Sequence, residues 1–405
     1  MPNFGAIDVI GVQWFLFSIL NTIILIYVYF NRDLSLTPFN FKPYLLYAFF
    51  VITAVFSILY SKNSVISLFD SFKIINTFVF VFILIKLTAP FSFYQIFKFV
   101  SYIVVFLLVL DLFFTLSPFY FLFSDSYYFN SSDFSPEKFI GLYANKNITS
   151  ALICIKLPFL FYLISQTNLK TNLVRLLFFY FLFFLVSLSV LFLSTRSVFL
   201  SFSFIAVFFI LFMFMKEIKF NSFVHATIVI ACLSISYSYN TYLLADENFN
   251  ITDRVQSIEF SEESSNFRFY LWQNAIDYIK SNPLVGCGIG NWKIESLPYW
   301  RFKLSDYTVP YHAHNDFLEL TTELGLIGGI LYITVFLSIL YLLFKTFYKL
   351  RIFSSESFIL ISLLIVYCTD AFFNFPLERV SMQIFFGLLL VLCHSFYTSL
   401  QYEKK

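Results

Sequence analysis

Charge is the scarcest property of this sequence, because only 12% of its 405 residues are charged. A soluble domain of ordinary composition carries about 25% charged residues, which help to cover its surface. Here 59% of the residues are hydrophobic and 23% are aromatic, including 61 Phe and 27 Tyr. The shortage of charge therefore excludes a soluble globular protein and predicts an integral membrane protein.

Basic clusters and paired cysteines are also missing. The formal net charge is only +2 and the basic residues are scattered, which argues against a nucleic-acid partner. Of the five cysteines, only Cys287 lies outside the long apolar runs, so no disulfide can form within its own segment. No Cys/His spacing typical of a metal site occurs. We therefore expect no nucleic-acid partner, no metal and no cofactor.

Long apolar runs are what the sequence has in abundance. A helix needs roughly 20 apolar residues to cross the hydrocarbon core, whereas a barrel strand needs about ten residues of alternating polarity. Runs of the helical kind predict an all-α polytopic membrane protein with eleven or twelve membrane-spanning helices and one large, partly helical outer loop. The eleven runs cover about 11–30, 43–60, 65–87, 97–117, 148–166, 174–193, 197–216, 222–244, 325–345, 356–373 and 380–400.

Lysine and arginine set the expected orientation, because cytoplasmic connections retain positive charge. Thirteen of these residues lie in the odd-numbered connections and at the C-terminus, against three in the short even-numbered connections. We therefore expect an outer N-terminus and an inner C-terminus. The thirteen are Arg32, Lys42, Lys86, Lys98, Lys170, Arg175, Lys216, Lys219, Lys345, Lys349, Arg351, Lys404 and Lys405, and the three are Lys62, Arg196 and Arg379.

The few charged residues are concentrated in one outer loop. Residues 246–318 hold 16 of the 50 charged residues (26 basic and 24 acidic), which marks this loop as the candidate functional region. We expect five segments: N-terminal helices 1–117, an outer loop 118–147, central helices 148–244, the large outer loop 245–324 and C-terminal helices 325–405.

A second group of charges lies within the predicted spans. An intramembrane charge is expensive, so each such residue is a functional candidate by default. Asp70 and Lys73 are three residues apart and are expected to form a helix-internal pair that serves structure. A flippase or ion-coupled transporter would instead depend on Asp111, Lys156 or Asp370.

The large loop contains a predicted amphipathic helix over 266–281, which Asn282-Pro283 ends. Arg268 lies near its start, where the helix dipole disfavours a cation unless an anion is present; the alternative is a headgroup anchor. The Gly-x-Gly-x-Gly that follows has no preceding strand and is not a dinucleotide site. It predicts a tight turn with positive φ that brings the backbone close to a neighbour, at Gly286, Gly288 and Gly290.

The end of the loop carries the strongest group of residues. Asp316 and Glu319 have the spacing of a capping box, which predicts a helix start at Asp316. His314 would then lie just outside the positive end of that helix, where its pKa falls and the neutral imidazole needed by a general base is favoured. Alternatively, His312 and His314 bind a metal, although no nearby carboxylate or cysteine set completes such a site.

Arg196 is the sole charged residue between two long apolar runs, and the expected topology places it on the same outer face as His314. Arginine forms bidentate hydrogen bonds to phosphate oxygens. Two arginines, Arg196 and Arg268, together with one base therefore suggest recognition of a diphosphate beside a proton-accepting group.

These residues resemble the O-antigen ligase and O-antigen polymerase superfamily of bacterial envelope glycosyltransferases. The resemblance covers roughly 140–380 and is quite specific where its pieces occur in order. Its strongest pieces are Ser194-Thr195-Arg196, Arg268 with Asn282-Pro283-Leu284-Val285-Gly286-Cys287-Gly288-Ile289-Gly290-Asn291, and His312-Ala313-His314-Asn315-Asp316-Phe317-Leu318-Glu319 with Glu323-Leu324-Gly325. Two fainter pieces are Gly141-Leu142-Tyr143-Ala144-Asn145-Lys146-Asn147 and Phe373-Asn374-Phe375-Pro376-Leu377.

The resemblance implies metal-independent, inverting glycan transfer at the periplasmic face of the bacterial inner membrane. The donor would be a glycan on undecaprenyl diphosphate, and the acceptor a hydroxyl of lipid A core or of a second lipid-linked glycan. His314 would act on the acceptor hydroxyl, and Arg196, Arg268 and, as a weaker candidate, Arg301 would hold the diphosphate. Supporting roles would fall to His312, Asn315, Asn291, Trp292, Gly286, Gly288 and Gly290.

Several functions remain open on these motifs. A ligase is the leading hypothesis, and a polymerase, which uses the same donor as acceptor, shares its motifs. Enzymes that glycosylate protein hydroxyls are a third possibility, and a flippase or other transporter is a rival from another class. The ligases have twelve spans and a cytoplasmic N-terminus, so the first 100 or so residues of this chain depart from their pattern.

Overall fold

The computed structural model of the chain describes residues 9–32, 37–124, 141–143, 145–216, 220–243, 268–300, 311–350 and 353–402. Throughout these residues the regular secondary structure is helical and no β-strand occurs. Eleven of the described helices are long and apolar enough to cross a membrane, which confirms the predicted all-α multi-pass architecture. They are α1 (Val9–Asn31), α2 (Lys42–Phe56), α3 (Ser64–Thr88), α4 (Phe93–Ser124), α5 (Lys146–Gln166), α6 (Leu173–Leu193), α7 (Arg196–Lys216), α8 (Phe220–Leu243), α12 (Asp316–Leu350), α13 (Ser355–Phe373) and α14 (Val380–Tyr402).

Three shorter helices lie in sequence between α8 and α12. They are α9 (Arg268–Ser281), α10 (Trp292–Glu295) and α11 (Leu297–Trp300). The amphipathic helix predicted over 266–281 is confirmed as α9, and Leu271 and Ala275 are buried on its apolar face.

Polar residues at the ends of apolar runs fix where the long helices begin. The Asn63 side chain accepts hydrogen bonds from Val65 N and Ile66 N at the start of α3. Asn145 caps α5 in the same way. Because such caps satisfy backbone N–H groups that have no intrahelical partner, the helix starts lie close to the predicted ends of the apolar runs.

The chain divides into two compact units. The first unit comprises Met1–Phe93, Ser261–Thr346 and Asp370–Lys405, and the second comprises Tyr94–Phe260 and Phe347–Thr369.

In the first unit, α3 is the central helix and packs against α1, α2 and α14. Aromatic side chains supply much of this packing. The Tyr44 ring of α2 stacks on the Phe78 ring of α3, with centroids 4.6 Å apart. Tyr47 contacts Phe386 of α14 edge-on, with centroids 5.1 Å apart.

In the second unit, α5 packs against α6 and α7, and α6 packs against α8. Every side chain of α5 from Thr149 to Ile164 is buried within the protein. The ring of Phe161 stacks on that of Phe209 in α7, with centroids 4.1 Å apart. The helix is therefore a core element of this unit and not a lipid-facing one.

The charged residues inside the spans are paired. Asp70 and Lys73 form the predicted pair, with Lys73 Nζ 2.5 Å from Asp70 Oδ1. In the second unit, Asp111 and Lys156 bond to each other with side chains only 4% exposed. Pairing offsets the cost of burying each charge, so these four residues have a structural account that does not require transport.

Candidate active site

Three loops of the first unit attach to the first turns of α12. We name them the glycine loop (286–292), the histidine loop (311–315) and the arginine loop (374–379). Each loop donates a backbone N–H to a carboxylate of the helix, as described below. The donors of the first and last loops, Trp292 and Leu377, are 85 residues apart in sequence (377 − 292), so α12 is the element that assembles the loops.

The glycine loop is also attached to the N-terminal helices. Ile289 N donates to Ser57 Oγ at 3.0 Å, and Ser67 Oγ donates to Ile289 O at 2.8 Å. Asn63 N donates to Asn291 Oδ1 at 2.8 Å, so the completely buried Asn291 side chain holds the start of α3. Asn291, a predicted site residue, thus serves to dock the loop.

The glycines of this loop allow close approach of the backbone to its neighbours. Gly288 and Gly290 have φ angles of 90° and 74°, which confirms the predicted tight turn with positive φ at these two residues, whereas Gly286 has no positive φ. A Cβ at any of the three glycines would collide with a neighbour: at Gly286 with the backbone of Thr322 and Glu323, at Gly288 with Ser61, and at Gly290 with the Asp70 carboxylate.

Gly325 interrupts α12, because its φ and ψ of 69° and −176° are not helical. The carbonyl groups before the break accept hydrogen bonds from the glycine loop instead. Cys287 N donates to Thr322 O at 3.0 Å, and Gly288 N donates to Glu323 O at 2.8 Å. The motif Glu-Leu-Gly therefore marks a junction between helix and loop.

His314 occupies a strained backbone position. Its φ is 52°, and only one other non-glycine residue of the described chain, Ser194, has a positive φ. The left-handed region costs an ordinary L-residue about 1–2 kcal/mol, and such strain persists where surrounding structure imposes it, often at functional sites. Its Nδ1 atom is buried and has no hydrogen-bond partner among the described residues. Its Nδ1 therefore has hydrogen-bonding capacity that no described residue uses.

The electrostatic surroundings keep His314 neutral. Burial lowers the pKa of His314, and the positive charges of Arg268, His312 and Arg379 lower it further, to about 4. A lowered pKa of His314 was also predicted from the sequence, but with the helix dipole as its cause. The structure instead gives burial and nearby cations as the causes.

The arginine loop lies against both histidine rings. The His312 ring stacks on Phe375 with centroids 4.3 Å apart, and the His314 ring meets Phe375 edge-on at 5.1 Å. The Arg379 guanidinium lies 4.6 Å from the centre of the same ring. Arg379 Nη1 also donates to Asp370 Oδ2 at 3.4 Å, so this buried cation is paired.

His312 bonds to the helix and not to a ligand. Its Nδ1 lies 2.8 Å from Glu319 Oε1. Burial lowers the pKa of His312, but the Glu319 carboxylate and, less strongly, Glu378 outweigh burial, so the net pKa is raised. A raised pKa favours the imidazolium, which contrasts with neutral His314 two residues later.

The predicted capping box is wrong in detail. Asn315, not Asp316, caps α12, because Leu318 N donates to Asn315 Oδ1 at 3.1 Å. Asp316 instead accepts from Leu377 N at 3.0 Å. Glu319 reaches the histidine loop and not the cap backbone. Both Asn and Asp are good caps, and contacts with distant loops decide between them.

The remaining predicted residues fall into three places. Trp292 is 1% exposed and packs with Ala275 and Ala313, so it anchors both loops to α9. Arg268 is the first residue of α9, and its charge acts on His314. Arg301 lies outside the described residues.

Arg196 belongs to the second unit, where it begins α7 with an exposed side chain. The preceding Ser194 ends α6 in a left-handed conformation, with a φ of 51°. Thr195 Oγ1 donates to Ser150 Oγ of α5 at 2.7 Å, which fixes the turn. The assignment of Arg196 to a diphosphate stays a prediction.

Four residues that lie around the histidines were not among the predicted site residues: Phe375, Arg379, Asp370 and Glu319. Arg379 entered only the count of basic residues in connections, and Asp370 only the transporter hypothesis. Phe375 and Glu319 lie in quoted motif pieces, which was the available signal. Within the described residues, no group of three or more His, Cys, Asp or Glu side chains is arranged to hold a metal ion.

Comparison with known proteins bears on the same part of the chain. Residues 181–333 match the family model described as O-antigen ligase, and this range contains Arg196, Arg268, the glycine loop and His314. No curated protein matches the chain. The family match confirms the resemblance to the O-antigen ligase superfamily that the motifs predicted, and it places the matching domain in residues 181–333 of this multi-pass membrane protein.

Proposed function

We propose that this protein transfers a glycan from undecaprenyl diphosphate to a hydroxyl group of lipid A core or a similar acceptor, at the periplasmic face of the bacterial inner membrane. The match of residues 181–333 to the O-antigen ligase family supports a glycosyltransferase-like enzyme of the O-antigen ligase and polymerase type. The observation that carries the proposal is His314, a neutral histidine with an unpartnered Nδ1, held among cationic side chains in the matched segment.

The proposed reaction is a single displacement. The acceptor oxygen attacks the anomeric carbon while the bond from that carbon to the diphosphate oxygen breaks on the opposite side, which inverts the configuration. His314 takes the acceptor proton, and the diphosphate leaves with the bonding electron pair. Arg268 stabilises the charge that develops on the diphosphate, and no metal ion is required.

Arg268 suits this role better than Arg379. The Arg379 side chain is only 5% exposed and pairs with Asp370, whereas the Arg268 side chain is half-buried and so more accessible to a substrate. Arg268 lies in the first turn of α9, where the helix dipole also favours a bound anion. We assign Arg268 to the leaving diphosphate and Arg379 to the support of Phe375.

A deletion strain tests the proposed function and distinguishes its two forms. We expect loss of the gene to leave free lipid-linked polymer that is not attached to its acceptor, which identifies a ligase. Single repeat units on the acceptor would identify a polymerase instead. An unchanged surface polysaccharide, with wild-type glycan length and attachment, would contradict both.

The pH dependence of transfer follows from the pKa of His314, which is about 4. The neutral form is active, so kcat/KM should be constant near neutral pH and fall only as the pH approaches 4. A bound diphosphate partly neutralises the adjacent cations and raises the pKa of His314 in the complex. The acid limb of kcat should therefore lie at higher pH than that of kcat/KM.

Initial rates of the purified protein across pH, at low and at saturating donor, measure both limbs. Enzyme held briefly at each acidic pH and then assayed at pH 7 controls for unfolding. A kcat/KM limb at the ordinary histidine pKa of about 6.5 would contradict the assignment of His314 as a neutral base in the free enzyme.

A further inference from the structure

Three carboxylates on the first turns of α12 accept hydrogen bonds from three loops. Asp316 Oδ2 accepts from Leu377 N of the arginine loop at 3.0 Å, and Glu323 Oε1 accepts from Trp292 N of the glycine loop at 3.2 Å. Glu319 lies between them and bonds to the histidine loop. Spacings of three and four residues place all three side chains on one face of the helix.

Glu319 differs from the other two because both of its oxygens bond to adjacent residues of one loop. Oε2 accepts from Ala313 N at 2.7 Å, and Oε1 pairs with His312 Nδ1 at 2.8 Å. These two residues directly precede His314. Ala313 is fully buried against Trp292 and Ala275, so the loop is fixed by packing on one side and by Glu319 on the other.

The Glu319 carboxylate does not face an open substrate site. It borders a cavity of about 20 Å³, whose other lining residues include Asp70, Lys73 and Glu378. Such a volume holds about one water molecule, far less than a sugar ring. The Glu319 side chain is 12% exposed. Glu319 therefore acts on the reaction through the residues it holds.

We propose that Glu319 is a positioning residue that keeps His314 in its left-handed backbone conformation and so aims the imidazole at the acceptor hydroxyl. This inference rests on the proposed function of His314. An ordinary L-residue leaves the left-handed region unless its neighbours hold it there. The clamp on residues 312 and 313 supplies that restraint directly before His314.

The chemistry of the clamp predicts which substitutions fail. Two N–H donors converge on the two oxygens of Glu319. In Glu319→Gln the amide oxygen can still accept from Ala313 N, but the amide nitrogen can bond to His312 Nδ1 only after that atom gives up its proton, so the charge-assisted bond to the imidazolium is lost. In Glu319→Asp the charge remains, but the side chain is one methylene shorter and cannot reach both donors.

We expect Glu319→Gln to lower kcat about 10²-fold, because small misplacement of a catalytic group has effects of that size. The KM values for donor and acceptor should change less than about twofold, since Glu319 does not contact substrate. Kinetics of the purified variant measure both. Glu319→Asp should also lower kcat with little change in KM, but its loss of kcat should be smaller. A merely structural role would lower the amount of folded protein without this selective loss of kcat.

Asp277→Asn is the matched control, because Asp277 is an exposed carboxylate of α9 that bonds to Gln273 and Lys280. It should leave both constants unchanged. If Glu319→Gln does not accumulate, His312→Asn tests the same clamp, since it removes one bond and leaves the Ala313 bond in place. We expect that variant to lower kcat about 10-fold at unchanged KM, as an intermediate loss.

The outcomes separate this inference from the proposed function. Wild-type kcat in Glu319→Gln, in a preparation where His314→Ala is inactive, overturns the positioning role alone. Wild-type kcat in His312→Asn does the same where Glu319→Gln cannot be purified. Wild-type protein that transfers no glycan from the lipid diphosphate overturns the proposed function itself.

Discussion

His314→Ala lowers glycan transfer about 10³-fold while the amount of protein in the membrane stays at the wild-type level. A positioned general base contributes about 10²–10⁴-fold to a rate, and His314 is the neutral imidazole available at the junction of the three loops. Folding should tolerate the change, because the His314 Nδ1 atom makes no hydrogen bond within the described residues, so the substitution breaks none there. Transfer assayed in membranes, normalised to protein level, measures the effect.

His394→Ala is the matched control for this variant. His394 is also a half-buried histidine of the first unit, but it packs against Phe41, with ring centroids 5.4 Å apart, and lies on α14. We expect normal transfer in the control. Substantial activity in His314→Ala, with His394→Ala unchanged, would remove His314 from the chemistry and leave the loop junction a structural feature.

Arg268→Lys lowers transfer about 10²-fold, although it keeps the positive charge. A lysine ammonium is a point charge and cannot reproduce the two parallel hydrogen bonds of a guanidinium to a diphosphate. Loss of one group that stabilises developing charge has an effect of about 10²–10³-fold on kcat in other enzymes. The loss should appear in kcat, since the charge develops as the leaving group departs.

Arg175→Lys is the control for the same chemical change at an exposed arginine, in the first turn of α6. It should transfer glycan normally. If Arg268→Lys also retains normal kcat, Arg268 is better explained as an interfacial anchor of α9, the alternative that its position near the helix start allows.

The positions of the helices could be predicted because local sequence determines them. Each span is a run of about 20 apolar residues, and the ends of the runs carry caps such as Asn63 and Asn145. At α12 the same local rules predicted the observed helix start, Asp316, but selected the wrong capping residue. There Asn315 and Asp316 are both good caps, and the choice depends on Leu377, a residue that lies 61 positions away.

The geometry of the candidate site was predicted in part, because some of its determinants are local and others are not. His314 could be selected from a short motif, and Gly288 and Gly290 have the positive φ that their spacing indicated. Docking of Asn291 onto Asn63 joins residues 228 positions apart, which no local pattern can reveal. The partners of Glu319 could not be predicted either, since its spacing from Asp316 indicated a role in helix capping.

The most direct test is transfer by purified protein in a membrane mimetic that contains an undecaprenyl-diphosphate-linked glycan, the acceptor and excess chelator. We predict transfer by the wild-type protein under these conditions, release of undecaprenyl diphosphate in equal amount, and no transfer above background by His314→Ala. A requirement for added divalent metal, or equal transfer by the two proteins, would contradict the account.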